Sequence, residues 1–319
     1  MATLRIGICG LGFMGKMHFD TYAAMKGVKV VAIADVDPKK RKGDWSGIIG
    51  NIAAKGKGPD LSGVTMYDTV EKLIADPDVD VVDITLPTSM HAKYALKALA
   101  AGKPTICEKP MARSSAEAKR MAEASKKAKA PLFIGHCIRF WPQYAVAKDI
   151  IDSGQYGKVI AAQFTRLSLL PTWSSNNWLM DNAMSGGAAL DLHVHDADYV
   201  AYLFGTPDAV SAVGTGLVKG RVDHVIATYR CKKAKNALIT AEGGWMYAPG
   251  FGFEMKFRIQ LEKATLLFGH GATPGDLTVC LPGGKVLSPK VPAGDGYSRE
   301  LAYYVDCIQK GKPSTIVTP

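Results

Sequence analysis

The segment GGAALDLHVHDADY, residues 186–199, places two histidines and three aspartates within eight positions. Histidine and aspartate bind metal ions, and together they also transfer protons, because the pKa of a free imidazole lies near neutral pH. The same residues also suit the polar edge of a buried helix. The segment therefore admits a metal site, an acid–base pair or a structural role, and the elements around it must decide.

Residues 190–204 have the 3.6-residue periodicity of an amphipathic helix, which Gly205 would end. On that predicted helix Asp191 and His195 share one stripe, while His193 points to the opposite flank. Two helical ligands of one metal prefer a spacing of three or four, and no third ligand follows at a suitable spacing. Proton transfer is therefore favoured over a metal, with Asp191 orienting the ring of His195 or holding a substrate hydroxyl.

A glycine-rich loop lies near the start of the chain, where GICGLGFMGKMH contains G-x-G-x-x-G at Gly10, Gly12 and Gly15. The loop follows a short apolar strand and opens a helix, as a dinucleotide-binding loop does. Gly10 permits the tight turn, Gly12 lets a pyrophosphate approach the backbone, and Gly15 lets helix and strand pack closely. The loop, with Phe13 and Met14, is predicted to bind the cofactor.

The next predicted strand, VKVVAIAD, ends at Asp35, twenty residues after the last glycine of the loop. An acid at this position accepts hydrogen bonds from the ribose hydroxyls and would repel the additional phosphate of NADP. Lys39, Lys40 and Arg41 follow closely and would compensate that repulsion. The cofactor is therefore NAD or NADP, and Asp35 favours NAD.

Strand-like and helix-like segments alternate as far as residue 135, and this order is typical of βαβ units and a parallel sheet. Beyond about residue 155 the apolar runs read as successive strands separated by turns, several with the alternation of an antiparallel sheet. The predicted fold class is α/β. A dinucleotide-binding Rossmann domain with a doubly wound parallel sheet spans 1–135. An α+β domain with a large open antiparallel sheet spans 136–319 and binds substrate.

Composition excludes several classes of protein. No apolar run approaches the roughly 18 residues of a membrane span, and the glycines near the N-terminus argue against a signal peptide. The six cysteines are scattered, which favours a reducing, cytoplasmic setting. The net charge of +10 includes basic clusters at 38–42 and 126–129, but they lack interleaved aromatic residues and suit solvated helix ends. We therefore expect no membrane and no nucleic acid partner.

Several motifs occur together in one order: the glycine loop, TLPTSMH (85–91), EKP (108–110), RFWPQY (139–144) and GGAALDLHVHD (186–196). In this set the chain resembles the Gfo/Idh/MocA oxidoreductases over nearly its whole length. The resemblance implies oxidation or reduction of sugars, polyols and related hydroxy or keto compounds with a nicotinamide cofactor. It also implies a homodimer or homotetramer formed through the C-terminal sheet. Family members usually continue past the equivalent of residues 316–319 with a further helix.

The same resemblance assigns the catalytic residues. Lys109 matches the family's catalytic lysine, and Asp191 and His195 match its D-x-x-x-H pair. We favour His195 as the base and Lys109 as the donor that polarises the substrate oxygen. Lys109 itself remains an alternative base, because a lysine beside an oxidised nicotinamide has a lowered pKa.

Further binding residues follow from the family match and from the loop at 172–182. Pro87 and His91 match the P-x-x-x-H loop that lines the nicotinamide pocket, and Glu108 is assigned to the cofactor site with Lys109. For the substrate, aromatic faces and amides suit a carbohydrate, so Trp173, Asn177 and Trp178 are candidates together with His91. On the predicted sheet, an apolar face would suit a symmetric partner and contains Phe253, Phe257, Ile259 and Leu261.

The sequence thus predicts an NAD(P)-dependent dehydrogenase or reductase acting on CH–OH groups, with no metal. Two alternatives remain open at this point. One is an enzyme of the same fold that oxidises its sugar transiently, eliminates a group and reduces the sugar back. The other is a dinucleotide or sugar sensor without catalysis.

Overall fold

The first half of the chain forms a six-stranded parallel sheet in a computed structural model that describes residues 3–50, 59–272 and 274–319. Its strands are β1 (Leu4–Cys9), β2 (Val28–Ala34), β3 (Thr65–Tyr67), β4 (Val81–Ile84), β5 (Thr105–Glu108) and β6 (Leu132–Gly135). They lie in the order β3-β2-β1-β4-β5-β6. This doubly wound order changes direction between β1 and β4, where such sheets bind ligands. The predicted Rossmann fold with a doubly wound parallel sheet is confirmed.

Helices connect these strands and cover the sheet: α1 (Phe13–Ala23), α2 (Pro38–Arg41), α3 (Val70–Ala75), α4 (Thr88–Ala100) and α5 (Ser115–Ala128). The start of α5 is capped by Ser114, whose hydroxyl accepts the N–H of Glu117 at 3.2 Å. In contrast, Gly12 precedes α1 and supplies no side-chain cap. The first N–H groups of α1 are therefore left for another acceptor.

The second sheet has eight strands: β7 (Val159–Leu169), β8 (Ala209–Thr215), β9 (His224–Arg230), β10 (Leu238–Tyr247), β11 (Phe253–Leu261), β12 (Thr265–Gly271), β13 (Gly275–Cys280) and β14 (Val286–Leu287). Their order is β14-β13-β12-β11-β7-β10-β9-β8. The predicted antiparallel sheet is confirmed except at its centre, where β7 and β10 pair in parallel. They run the same way because the chain leaves β7, crosses the sheet through helices and the β8–β9 hairpin, and only then enters β10.

Among the described residues, this second part also contains the helices α6 (Pro142–Asp152), α7 (Asn182–Ser185), α8 (Gly187–Asp191) and α9 (Val194–Phe204). Aromatic side chains of α6 and α9 meet those of the sheet, as where Tyr144 contacts Tyr199 and Phe257 edge to face. The predicted partner face at Phe253–Leu261 is therefore wrong: Phe257, Ile259 and Leu261 are buried, and Phe253 is partly buried. Side chains alternate along β11, so the outward face carries polar residues instead.

The last helix, α10 (Gly296–Gln309), returns to the first sheet and completes its core. Leu301, Tyr304 and Val305 are buried there, and the hydroxyl of Tyr304 donates to the carbonyl of Ile134 at 2.7 Å. The two ends of the chain thus share one hydrophobic core. Within the described ranges, no helix combines the length and the hydropathy that a membrane crossing needs.

Candidate functional site

A cavity of about 940 Å³ lies at the carboxyl ends of the parallel strands and extends to the second domain. The volume suits a dinucleotide together with a small substrate. Most of the sequence-predicted site residues line it: Gly10, Gly12, Phe13, Met14, Asp35, Pro87, Glu108, Lys109, Trp173, Trp178, Asp191 and His195. Three predicted residues, Gly15, His91 and Asn177, are not part of its lining.

The glycine loop has the geometry that a bound pyrophosphate requires. Gly10 has a φ of +96°, which side chains rarely adopt. A Cβ on Gly15 would lie 1.9 Å from the carbonyl oxygen of Gly10, so Gly15 serves close packing and lies behind the cavity wall. A Cβ on Gly12 would meet no atom within 4 Å, which leaves open space directly before the uncapped start of α1. These features fit a dinucleotide phosphate at this loop.

Asp35 lies at the end of β2 with its carboxylate fixed by backbone groups. The N–H of Leu11 donates to Oδ2 at 2.7 Å, and the N–H of Asp37 donates to Oδ1 at 2.8 Å. Each oxygen retains a lone pair for a ribose hydroxyl. The guanidinium of Arg41 donates to the backbone carbonyl of Asp35 at 2.6 Å, so its charge is directed to the main chain. This arrangement fits the adenosine ribose of NAD.

The loop after β4 lines the cavity, and His91 packs against the side of this loop that faces away from the cavity. Pro87 lines the cavity. The ring of His91 is buried, with Nδ1 2.8 Å from the carbonyl of Pro110 and Nε2 2.8 Å from that of Leu86. The neutral ring donates its single N–H to one of these carbonyls, and its other nitrogen lies against the second. Both nitrogens thus face the β4 and β5 loops, and His91 does not line the cavity, which corrects its predicted substrate contact.

The predicted helix over 190–204 is broken in its first turn. Helix α8 ends at Asp191, and α9 begins at Val194. The N–H of His195 bonds the carbonyl of Leu192 at 3.4 Å, so the carbonyl of Asp191 has no helical partner at this position. Gly186 and Gly187, with φ of +84° and +70°, determine how the chain enters α8. The hydrophobic periodicity does not predict this start.

Lys109 forms a hydrogen bond with the carbonyl of Asp191, which this break leaves without a helical partner. Its Nζ donates to the backbone oxygen of Asp191 at 2.7 Å and to Oδ1 of the same residue at 3.1 Å. The ammonium is thereby held at the cavity surface, with the side chains 13% and 15% exposed. Asp191 pairs with Lys109 and not with His195, because the break removes the one-turn relation expected between residues 191 and 195.

His195 lines the same cavity and is held in its neutral form. Burial is the main cause that puts the pKa of His195 well below 6.5, and the charges of Lys109 and Arg166 lower it further. Its Nδ1 is buried without a hydrogen-bond partner. The nitrogen that can meet a substrate hydroxyl is therefore Nε2, and at neutral pH the ring is unprotonated.

The other polar residues of 186–199 are structural. Nε2 of His193 lies 2.7 Å from the hydroxyl of Tyr229, so the ring faces the second sheet and not the cavity. Asp196 forms a buried ion pair with Arg166 at 2.8 Å. Asp198 accepts two hydrogen bonds from Arg139. No group of three or more potential metal ligands occurs in the described part of the chain.

The loop at 172–182 borders the cavity from the second half of the chain. Trp173 and Trp178 line it, but the amide at its surface is Asn176, while the predicted Asn177 is exposed elsewhere. Both asparagines have a left-handed φ near +52°, which turns successive side chains in directions that sequence spacing does not predict.

Trp245, which none of the sequence motifs contains, also lines the cavity. Its indole N–H donates to Oδ1 of Asp223 at 2.6 Å, and Arg221 donates to the same oxygen at 2.7 Å. Arg221 also donates to the carbonyl of Met180, which links this buried group to the 172–182 loop. No spacing rule connects these residues, because the link depends on pairing in the second sheet.

Two family profiles match the chain. The profile of the oxidoreductase family with an NAD-binding Rossmann fold matches residues 4–136, and that of the GFO/IDH/MocA C-terminal domain matches residues 144–267.

Individual relatives agree with these matches. A levoglucosan dehydrogenase from Pseudarthrobacter phenanthrenivorans is 34% identical over 219 residues, which cover 67% of this chain and 54% of that protein. The match thus spans about half of that relative. Inositol 2-dehydrogenase 2 from Saccharopolyspora erythraea is 27% identical over 97% of this chain and 86% of its own length.

A solved structure of levoglucosan dehydrogenase in complex with NADH and levoglucosan superimposes with a TM-score of 0.80. The two sequences are 25% identical, and the match covers 98% of this chain and 91% of that one. The glycine loop, Asp35 and the cavity therefore lie in a fold with which NADH has been observed. The chain belongs to the Gfo/Idh/MocA oxidoreductases, a family with an NAD-binding Rossmann domain.

Proposed function

We propose that this protein is an NAD-dependent dehydrogenase that oxidises a CH–OH group of an uncharged sugar or polyol, or reduces the corresponding ketone. The observation that carries the proposal is the placement of Lys109 and the neutral His195 on one cavity with the glycine loop. When bound there, the nicotinamide accepts or supplies the hydride. The chain itself must orient the substrate and move the proton.

His195 accepts the hydroxyl proton in the oxidative direction, since it lines the cavity beside Lys109 and its imidazole is unprotonated at neutral pH. Lys109 donates a hydrogen bond to the same oxygen and stabilises the negative charge that develops on it. Asp191 fixes the ammonium of Lys109 through its carbonyl and its carboxylate. The alternative is that Lys109 accepts the proton, and the pH dependence of kcat/KM distinguishes a base at His195 from a base at Lys109.

The charges around the reacting centre favour an uncharged substrate. Lys109 is paired with Asp191, and Arg166 with Asp196. Arg139 is paired with Asp198 in the same way. An anionic group next to His195 would therefore find each of these cations already hydrogen-bonded to a carboxylate and would also lose its hydration. Aromatic and amide groups of the 172–182 loop suit the C–H faces and hydroxyls of a carbohydrate.

The test measures nicotinamide absorbance with NAD⁺ and NADP⁺ against matched substrate pairs. Each pair contains a neutral aldose or polyol and its acid or phosphate. We expect reduced nicotinamide to accumulate with a neutral member and with NAD⁺ in preference to NADP⁺. Preference for the charged members would contradict the proposed substrate class. Tight NADH binding without net reduction would instead favour the redox-neutral cycle or the sensor.

Lys109→Met is the matched variant, since methionine keeps the length of the side chain and removes the donor. We expect turnover to fall by about two to three orders of magnitude, the usual scale for one polarising or proton-transfer group, with NADH binding retained. Wild-type turnover in this variant would refute the role of Lys109.

The proposal includes assembly through the uncovered face of the second sheet, as a homodimer or homotetramer. Residues of β9 alternate between buried and exposed, and Ile226 remains 46% exposed on the uncovered side. Leu267 on β12 is 36% exposed, although β11, β7 and β10 lie between β12 and β9. Large apolar side chains on an open sheet are typical of contact surfaces between copies. A cytoplasmic setting also belongs to the proposal, and it is supported by the six cysteines, all free thiols.

A further inference from the structure

His18 lies in α1, one turn after the glycine loop, and its ring is 1% exposed. Its Nδ1 is 2.8 Å from Oδ2 of Asp83 on β4, and its Nε2 is 3.1 Å from Oε1 of Glu108 on β5. Both carboxylates are buried as well. One imidazole therefore joins the cofactor-binding helix to two strands of the parallel sheet.

The ring of His18 carries a positive charge. Both of its nitrogens face carboxylate oxygens, and two donors are present only in the imidazolium form. Burial by itself would lower the pKa of His18, but Asp83 and Glu108 raise it to about 10. The hydroxyl of Tyr22 also donates to Oδ2 of Asp83 at 2.8 Å. Glu300 faces the cluster from α10, where burial raises its pKa well above its usual value.

Glu108 connects His18 to the start of the loop after β5, which contains Lys109. One oxygen of its carboxylate meets His18, and the other accepts the backbone N–H of Lys109 at 3.1 Å. The carboxylate lies against Gly135, where a Cβ would come within 2.8 Å of Oε1. The carboxylate thus has little room to shift, and it fixes the main chain from which the side chain of Lys109 enters the cavity.

From this geometry we infer that His18 is a positioning residue, which holds Lys109 at the reacting centre through Glu108. The inference rests on the proposed role of Lys109. Displacement of a catalytic group by about 1 Å can cost a hundredfold in rate, so a residue outside the cavity can control turnover. His18 is not part of the cavity lining, so its removal should spare cofactor binding.

The test compares His18→Gln with Tyr22→Phe. Both variants remove hydrogen bonds to Asp83 from the same buried cluster, but only the first removes the partner of Glu108. For H18Q we expect kcat to fall about tenfold to a hundredfold. The Kd for NADH, measured by fluorescence, and the KM for substrate should change less than threefold. Y22F should keep kcat within about twofold of wild type despite its own loss of stability.

Gly135→Ala gives a second approach that leaves His18 in place. The added methyl group would displace the Glu108 carboxylate, and we expect the same fall in kcat with NADH binding retained. This variant decides the question if H18Q does not fold. Equal kcat losses in H18Q and Y22F, or wild-type kcat in H18Q or G135A, would overturn the inference.

Lys109→Met in the same assay separates the two proposals. An inactive K109M beside a fully active H18Q would refute the positioning role alone. A fully active K109M would refute the proposed role of Lys109, and the inference would fail with it.

Discussion

The chemistry of this site depends on how buried charges set the state of individual side chains. Lys109 has a carboxylate and a carbonyl of Asp191 as partners, whereas the ring of His195 has two cations nearby and no hydrogen bond at Nδ1. The first arrangement stabilises a cation, and the second disfavours one. In the proposed mechanism the two side chains therefore have separate roles: the ammonium polarises the substrate oxygen and the neutral imidazole accepts the proton.

The pH profile of kcat/KM for substrate oxidation tests this division. The pKa of His195 is lowered in the folded protein, so its unprotonated form persists as the pH falls through 6.5. We therefore expect protonation of His195 to lower kcat/KM only when the pH is well below 6.5. His195→Asn should abolish this acid limb and lower kcat by about two orders of magnitude. An acid limb at or above pH 6.5 would assign the base to another group, with Lys109 the first candidate.

At the residue scale the sequence indicates which side chains share a cavity, but not which atoms they contact. Lys109, Asp191 and His195 were named from motifs, and all three line one cavity. The partner of Asp191 was wrong, because that prediction assumed a continuous helix. The role of His91 also changed, since the sequence cannot show that both ring nitrogens meet backbone carbonyls.

At the scale of elements, two glycines of one loop have different tasks, and the structure separates them. Gly12 has an ordinary φ of −83° and open space where a Cβ would lie. A Cβ on Gly15, in contrast, would lie only 1.9 Å from the carbonyl oxygen of Gly10. Alanine at Gly12 should therefore obstruct the ligand, whereas alanine at Gly15 should obstruct the fold itself.

We predict that Gly12→Ala weakens NADH binding at least tenfold, or about 1.4 kcal/mol. It should leave the free energy of unfolding of the free protein within about 0.5 kcal/mol of wild type. Gly15→Ala should lower that free energy by about 1–3 kcal/mol, because α1 must move away from β1. Urea unfolding and NADH fluorescence titration measure the two effects. Equal destabilisation by both variants would show that the loop geometry is misassigned.

Elements with a regular pattern were predictable, and those that depend on distant pairing were not. The predicted strand VKVVAIAD, which ends at Asp35, corresponds to β2 (Val28–Ala34). The three-residue strand β3 was missed because it is too short to show a period. The break between α8 and α9 was missed because the apolar stripe continues across it.

At the scale of the whole molecule, the cavity exists only because distant segments meet. The glycine loop, the β5 loop and the 172–182 loop all line it, although more than 150 residues separate the first from the last. Helix α10 completes the core of the first sheet from the far end of the chain. Such contacts follow from topology and side-chain packing, and local sequence patterns do not predict them.

The uncovered face of the second sheet gives the last prediction. Its alternate side chains pack on helices on one side only, so large residues such as Ile226 stay exposed in a single chain. We expect light scattering to give the mass of two or four chains for wild type and of one chain for Ile226→Lys. A lysine on that face would bury an unpaired charge in the contact.

Ala101→Lys is the control, because it adds the same charge at an exposed turn after α4 in the first domain. It should leave the assembly unchanged. A wild-type mass of one chain at micromolar concentration would exclude assembly through this face. If I226K retains the full assembly, the contact between copies lies on another surface. The fully exposed edge strand β8 would then be the next place to introduce a charge.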